Sequence, residues 1–385
     1  MGNWAVINNR WWYNHLIKEV VKEVVMAFLE IKNVRIAGIA ASVPKTVVNN
    51  HELSAERGEI SSDYTADMFV KQTGIEERRY SPVLCTSDLC YAAAEQLIGD
   101  LGWKKSEIDA LLFVSQTADY SSPATACILQ DRLGLDKETY AADISMGCTG
   151  WVYGLSVAAS LASHGSMRKV LLCVGDAKRR AEGPLNPLIG SAGTVTAIEY
   201  AEGVSGFKFH MGTDGSRYDA IIIPDSGSRN QVKPESFKCE IVDGRPSQRM
   251  LPRMKGMDVF AFGIYTAPKS IRMLSEKFGI NIQGVDYLML HQANMQMNSM
   301  IVKKVKLPPE KAPSSIKHFG NTSSASIPVT FVTQLKEKVE NRRVQFICCA
   351  FGVGLSWGTV AFDTDKLVLS DLVEVDDMVA VGDRT

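Results

Sequence analysis

The chain has 385 residues, which at roughly 150 residues per domain allows two or three compact units. Hydrophobic residues make up 45% and charged residues 22%, values that exclude a disordered, collagen-like or tail-dominated chain. Lys plus Arg (42) nearly cancels Asp plus Glu (43), and the net charge of −1 supplies no overall field for nucleic acid or an anionic membrane surface.

Residues 1–30 read as an N-terminal extension. The spacing of Leu16, Val20, Val21, Val24, Val25 and Phe28 predicts an amphipathic helix over 13–31. It is either a docking arm or a stretch upstream of a true start at Met26. Residues 1–20 mix Trp, Asn, Lys and His without an apolar run, so no secretory signal is expected. Gly2 lacks the Ser or Thr at position 6 that a myristoylation signal needs. From Val34 the text becomes strand-like and is ended by Pro44.

Beyond it, apolar β-rich runs alternate with helical stretches, the pattern of an α/β layered protein. Strands are predicted at 110–114, 140–145, 170–174, 194–200, 220–223, 287–290, 344–349 and 358–362. Helices are predicted at 87–99, 124–133, 150–164, 258–278, 295–305 and 326–340. Residues 144–163 carry no charge and contain Gly150 and Gly154 in G-x-x-x-G spacing. Their many glycines, serines and threonines predict a buried helix and no membrane span. Ile108-Asp109-Ala110-Leu111 and Val285-Asp286-Tyr287-Leu288 echo one another, which predicts two α/β halves changing over near residues 200–213. The halves are placed at 31–207 and 208–362, followed by an acidic tail at 363–385.

Eight cysteines occur without a C-x-x-C pair or a Cys/His spacing of the zinc-site kind, so no metal is expected and reduced thiols in a cytoplasm are the default. Cys148 stands between a predicted strand and the uncharged helix, where the positive end of the peptide dipoles favours a thiolate. Gly147 and Gly150 on either side permit a tight turn. An inert core cysteine is the competing reading. His291 follows a strand at its C-terminal end and is placed to polarise a carbonyl or exchange a proton; a satisfied structural histidine is the alternative. Asn321 lies in a polar loop entering a helix, where a cap or turn role competes with a chemical one.

Taken together, these segments resemble the β-ketoacyl-acyl-carrier-protein synthase III branch of the thiolase superfamily. The resemblance runs in order through Thr73-Gly74-Ile75, the Cys148 turn, Asp214-Gly215-Ser216, the stretch from Met254 to Phe260, His291-Gln292-Ala293-Asn294, Gly320-Asn321-Thr322-Ser323 and Phe351-Gly352-Val353-Gly354 with Trp357-Gly358. It implies a thiolase-like fold of duplicated halves in α-β-α-β-α layers, with Cys148 of the first half meeting His291 and Asn321 of the second. Cys148 would take an acyl group from a thioester, and the backbone N–H groups of Cys148 and Val353 would form the oxyanion hole. His291 and Asn321 would bind the carbonyl of a malonyl-type extender during decarboxylative Claisen condensation, with no cofactor.

The same resemblance assigns Phe260, Arg180 and Asn294 to substrate binding and Lys303 and Lys304 to docking of an acidic acyl carrier protein. Solvated basic residues are the alternative for Arg180 and for the lysine pair. It also implies a homodimer and a role in fatty-acid or specialised acyl biosynthesis. Three positions depart from the family pattern. Met68 and Gln72 replace the tryptophan and arginine that clasp the adenine of coenzyme A, and Gly190-Ser191 replaces Gly-Asp. A coenzyme A thioester and a carrier-bound acyl group therefore both stay open as donor. Acyl transfer to an alcohol or amine, and a catalytically silent carrier-binding subunit, are the competing functions.

Overall fold

The computed structural model describes residues 27–54, 60, 64–177, 186–242, 245–339 and 342–379. Its principal strands in chain order are β1 (Ala27–Ile31), β2 (Val34–Pro44), β3 (Ala110–Val114), β4 (Tyr140–Ile144), β5 (Lys169–Asp176), β6 (Ala192–Tyr200), β7 (Phe207–Thr213), β8 (Tyr287–Leu290), β9 (Val344–Gly352), β10 (Ser356–Thr364), β11 (Val368–Leu369) and β12 (Val373–Val375). The principal helices are α1 (Ala66–Thr73), α2 (Thr86–Leu101), α3 (Thr125–Arg132), α4 (Gly150–Ala162), α5 (Gly256–Phe278), α6 (Met295–Lys304) and α7 (Ser326–Leu335). One sheet runs β11-β2-β6-β5-β3-β4, with β12 also on β2, and the other runs β1-β7-β10-β9-β8. The chain passes from the first sheet to the second between Tyr200 and Phe207.

Strand periodicity explains the layering. Side chains alternate across a strand, and in β3 Ala110, Leu112 and Val114 enter one core while Leu111 and Phe113 enter another. The first core also holds Trp151 and Leu155 of α4, Phe331 and Val332 of α7, and Phe346, Cys348 and Ala350 of β9. Two helices are thus sandwiched between the sheets. The outer face of the first sheet packs on α2 and α3, and Ile347, Cys349 and Phe351 on the outer face of the second pack on α5 and α6. Helix, sheet, helix, sheet, helix is the layered arrangement expected. Strands buried on both faces read as continuous apolar runs, which is why β3 and β8 have the bounds predicted from sequence.

The internal echo has a physical basis. Asp109 before β3 accepts from the backbone N–H of Arg168 (2.6 Å) and Lys169 (3.0 Å) at the start of β5. Asp286 before β8 accepts from Gln345 N–H (2.8 Å) at the start of β9. Each carboxylate locks the register of a strand pair in its own half.

Gly150 and Gly154 allow α4 to lie close to the sheet: a Cβ on Gly150 would stand 2.9 Å from Val114, and one on Gly154 2.8 Å from Leu172. Among the described residues, no helix is long and apolar enough to cross a membrane.

Three expectations need correction. Residues 13–26 lie outside the described residues, and residues 27–31, expected to end a helix, form β1, paired antiparallel with β7. Its Phe28 and Leu29 meet aromatic and apolar side chains of the second half, a demand that overrides the helical spacing. The predicted strand 220–223 is a 3-10 turn at Gly215–Ala220 followed by only Ile221–Ile222 as strand. Boundaries at 207/208 and 362/363 would cut through β7 and β10, and the tail supplies β11 and β12 along β2.

That tail covers an edge of the first sheet. Leu367, Leu369 and Val375 are buried, each worth about 2 kcal/mol, and Glu374 pairs with Arg79 at 2.6 Å. Deleting residues 366–379 should lower the melting temperature and cause association through the uncovered β2 edge. Thermal denaturation and light scattering test this; an unchanged melting temperature and a monodisperse sample would contradict it.

Candidate active site

The turn that carries Cys148 is built by its neighbours. β4 ends at Ile144, α4 begins at Gly150, and Gly150 N–H donates back to Gly147 C=O at 2.6 Å. Thr149 is buried, with its hydroxyl 2.9 Å from that of Ser356 in the second half. Cys148 itself is partly exposed, whereas Cys90, Cys173, Cys348 and Cys349 are buried. Burial pushes the Cys173 and Cys349 thiols up to about 12 and those of Cys90 and Cys348 well upward, so these four are neutral packing groups.

The end of β9 lies directly over this turn. A Cβ on Gly352 would stand 2.5 Å from Cys148 Cβ and 2.6 Å from its Sγ. A Cβ on Gly147 would stand 2.6 Å from a methyl of Val353 and 2.4 Å from Gln116 Oε1. The Gly352-Val353 backbone therefore lies over Gly147-Cys148, with glycine on each strand of the contact because neither position has room for a side chain. Val353 is held by its carbonyl, which accepts from Ser356 Oγ at 2.9 Å.

His291 follows β8 directly. Its N–H donates to Cys349 C=O (2.9 Å), its ring stands edge-on to Phe351 (5.8 Å between centroids), and its Nδ1 lies 2.8 Å from Ser326 Oγ. The residue is buried, and burial lowers its pKa to about 4, prevailing over a hydrogen bond with the Ser323 backbone that favours the protonated ring. The imidazole is neutral at physiological pH.

Asn321 is fixed at both backbone atoms: its N–H donates to Leu188 C=O (2.8 Å) and its C=O accepts from Gly190 N–H (3.1 Å). A Cβ on Gly190 would stand 2.0 Å from Phe319 C=O, so this close approach requires glycine. Ser191 is buried and donates its N–H to Arg79 C=O at 2.9 Å, which keeps the turn closed without the aspartate of the family pattern. The side-chain oxygen of Asn321 accepts from Ser323 N–H (2.9 Å). One short loop thus links the other two residues: Ser323 holds the Asn321 amide and Ser326 meets the His291 ring. It packs on the Cys148 helix, since a Cβ on Gly150 would stand 3.1 Å from Ser324 Cβ.

The other expected site residues divide. Phe260 lies in the first turn of α5, half-buried against the outer core of the second half. Asn294 has a structural task, because it is the N-cap of α6 and its side-chain oxygen accepts from Met297 N–H at 2.7 Å. Lys303 and Lys304 are both exposed, and Lys304 Nζ donates to Ile264 C=O at 2.9 Å, tying α6 to α5. Arg180 lies outside the described residues. Met68 and Gln72 are on the exposed face of α1, with Gln72 bonded to the Tyr64 hydroxyl. Gln116, Ser324 and Ser326 were not singled out from the sequence. No local signal marks them, since their partners are far away in the chain.

Comparisons with known proteins agree with this geometry. The model of the 3-oxoacyl-[acyl-carrier-protein] synthase III family matches residues 142–215, and that of its C-terminal region matches residues 275–364. The first span holds Cys148, and the second holds His291, Asn321 and Val353. The β-ketoacyl-[acyl-carrier-protein] synthase III of Clostridium perfringens is 31% identical, covering 85% of this chain and 98% of its own. That of Enterococcus faecalis is 32% identical, with 85% and 97% covered. The crystal structure of a 3-oxoacyl-(acyl-carrier protein) synthase from Burkholderia xenovorans superposes with a TM-score of 0.83 at 34% identity, covering 91% of this chain and 99% of that one. With its layered fold and its Cys148 turn closed by the end of β9, the chain belongs to the β-ketoacyl-acyl-carrier-protein synthase III family of thiolase-fold acyltransferases.

Proposed function

We propose that the chain transfers an acyl group to Cys148 and then condenses it with a malonyl-type thioester on an acyl carrier protein. The observation that carries this reading is the packing of Gly352-Val353 over Cys148 beside one loop that fixes both His291 and Asn321.

In the first half-reaction, the Cys148 thiolate attacks the acyl thioester carbon, the new bond forms to Sγ, and the donor leaves as its thiolate. The backbone N–H groups of Cys148 and Val353 stabilise the oxyanion, each worth about 3 kcal/mol. In the second, the malonyl carboxylate leaves as carbon dioxide and the electrons of the broken C–C bond pass to an enolate. The enolate carbon attacks the acyl carbon and expels the Cys148 thiolate. Donors for the enolate oxygen come from His291 and Asn321. This role requires the His291 tautomer with its proton on Nε2, in which the Ser326 hydroxyl, 2.8 Å from Nδ1, would be the donor, and Ser323 N–H holding the Asn321 oxygen leaves the amide NH2 as the donating end. A neutral imidazole suits this task, because it donates without protonating the enolate. The resident groups carry the reaction without a cofactor.

The partners follow the same logic. The acidic carrier would meet Lys303 and the apolar rim of α5, where Met257 and Tyr265 are exposed. A coenzyme A thioester is the alternative acyl donor. A homodimer would form along β4, which among the described residues pairs only with β3. The exposed free thiols of Cys127 and Cys239 suit the reducing cytoplasm.

Intact-mass spectrometry with acyl-coenzyme A and acyl-carrier thioesters, followed by malonyl-carrier protein, tests the reading. Wild type should gain an acyl adduct that is discharged as a β-keto product, and Cys148→Ala should gain none. Asn321→Ala should load at the wild-type rate and lose at least ~100-fold in malonyl decarboxylation. An adduct inert to malonyl thioester would favour transfer to an alcohol or amine, and the absence of any adduct a silent subunit.

Gly352→Ala places a methyl group against the nucleophile. Acyl loading should fall by at least ~100-fold while circular dichroism stays native; normal loading would contradict the proposed contact.

The pH dependence carries its own sign. Because the folded His291 pKa lies near 4, below the ordinary 6.5, decarboxylation should stay level from about pH 5 to about pH 8 instead of titrating with an ordinary histidine. The unfolded chain binds the extra proton between those two values, so His291 contributes stability fully above pH 6.5 and loses it as the pH falls towards about 4. A decarboxylation rate that titrates near pH 6.5 would show that the ring is not held neutral.

A further inference from the structure

Asp176 ends β5 and is fully buried. Its two oxygens serve different halves of the molecule. Oδ1 accepts from Gln116 N–H (2.8 Å) and from the hydroxyls of Ser115 (3.1 Å) and Thr117 (3.3 Å). Oδ2 accepts from the hydroxyl of Ser324 (3.0 Å). These donors are all neutral, and together they satisfy a polar group taken from water.

What it ties together is specific. Gln116 is the residue whose side chain lies over Gly147, beside the nucleophile. Ser324 is the middle of the loop in which Ser323 holds the Asn321 amide and Ser326 meets His291. We propose that Asp176 is a positioning residue that aligns the enolate-binding loop of the second half with the nucleophile turn of the first. This assignment rests on the condensing reaction proposed above and extends it to a residue that touches no reacting atom.

The two arms make the consequence selective. Cys148 and its cover, Gly352-Val353, do not depend on the Ser324 hydroxyl, so acyl loading should survive its loss. The donors on the Asn321 loop do depend on it, and a displacement of ångström size in such donors is enough to impair a step.

The test compares wild type, Ser324→Ala, Asp176→Asn and the double variant by three measurements. These are acyl loading of Cys148 by intact mass, release of carbon dioxide from malonyl-carrier protein by the acylated enzyme, and thermal denaturation. Ser324→Ala should lower decarboxylation about tenfold or more and leave loading within about twofold of wild type. Asp176→Asn keeps the shape and allows the Ser324 hydroxyl to accept from the new amide, so it should lower the same half-reaction by a smaller factor. The double variant should be no worse than Ser324→Ala alone, because both act through one contact.

Equal losses in loading and decarboxylation, an unchanged decarboxylation rate, or additive effects in the double variant would overturn the assignment. If Ser324→Ala does not fold, Asp176→Asn is judged by the same split. A wild type that loads but never decarboxylates would strike down the condensing reaction and this assignment with it, whereas a wild type that does both beside variants without the split strikes down only the role of Asp176.

Discussion

The contact between the Gly352 backbone and the Cys148 side chain is the constraint on which the site depends. It joins the end of a strand in one half to a helix-leading turn in the other, at a distance that leaves no room for a side chain at Gly352. Such a contact holds only if the sheets are spaced accurately. The spacing is set by the two helices between them, whose Trp151, Leu155, Phe331 and Val332 share one core with β3 and β9. Core packing at organic-crystal density transmits strain, so substitutions in this central layer would alter how Cys148 is covered.

Electrostatic demands differ across the site and are met by different means. A nucleophilic Cys148, as proposed, needs partial access and the positive end of α4, and Cys148 is partly exposed at that helix start. In the proposed condensation, the donors His291 and Asn321 need to stay neutral and fixed. Burial keeps His291 neutral, and fixation comes from serines: Ser326 at the ring, Ser323 at the Asn321 amide and Ser324 at Asp176.

Much of this was legible in the chain because burial on both faces makes strands into plain apolar runs. β3 and β8 were read to the residue for that reason, and α4 was separable from a membrane span by its small residues. Residues 27–31 were misread because their apolar spacing fits a helix equally well, and only pairing with β7 decides between the two. Asn294 was assigned to substrate binding by the resemblance, and its side-chain oxygen also caps α6 by accepting from Met297 N–H. Asp176 was silent. A lone carboxylate after an apolar strand has no local signature when its partners are 60 and 148 residues away.

The sheet edges show how the same logic reaches assembly. An open strand edge is a template for another chain, and the first sheet begins with two. The tail occupies one, laying β11 and β12 parallel to β2 and burying Leu367, Leu369 and Val375. The other, β4, keeps its outer side open among the described residues, and its Asp143 instead caps α3 by accepting from the N–H groups of Thr125 (2.7 Å) and Ala126 (2.8 Å). A second copy pairing along β4 would extend this sheet. Because β4 leads directly into the Cys148 turn, pairing there would also stiffen the segment that carries Cys148.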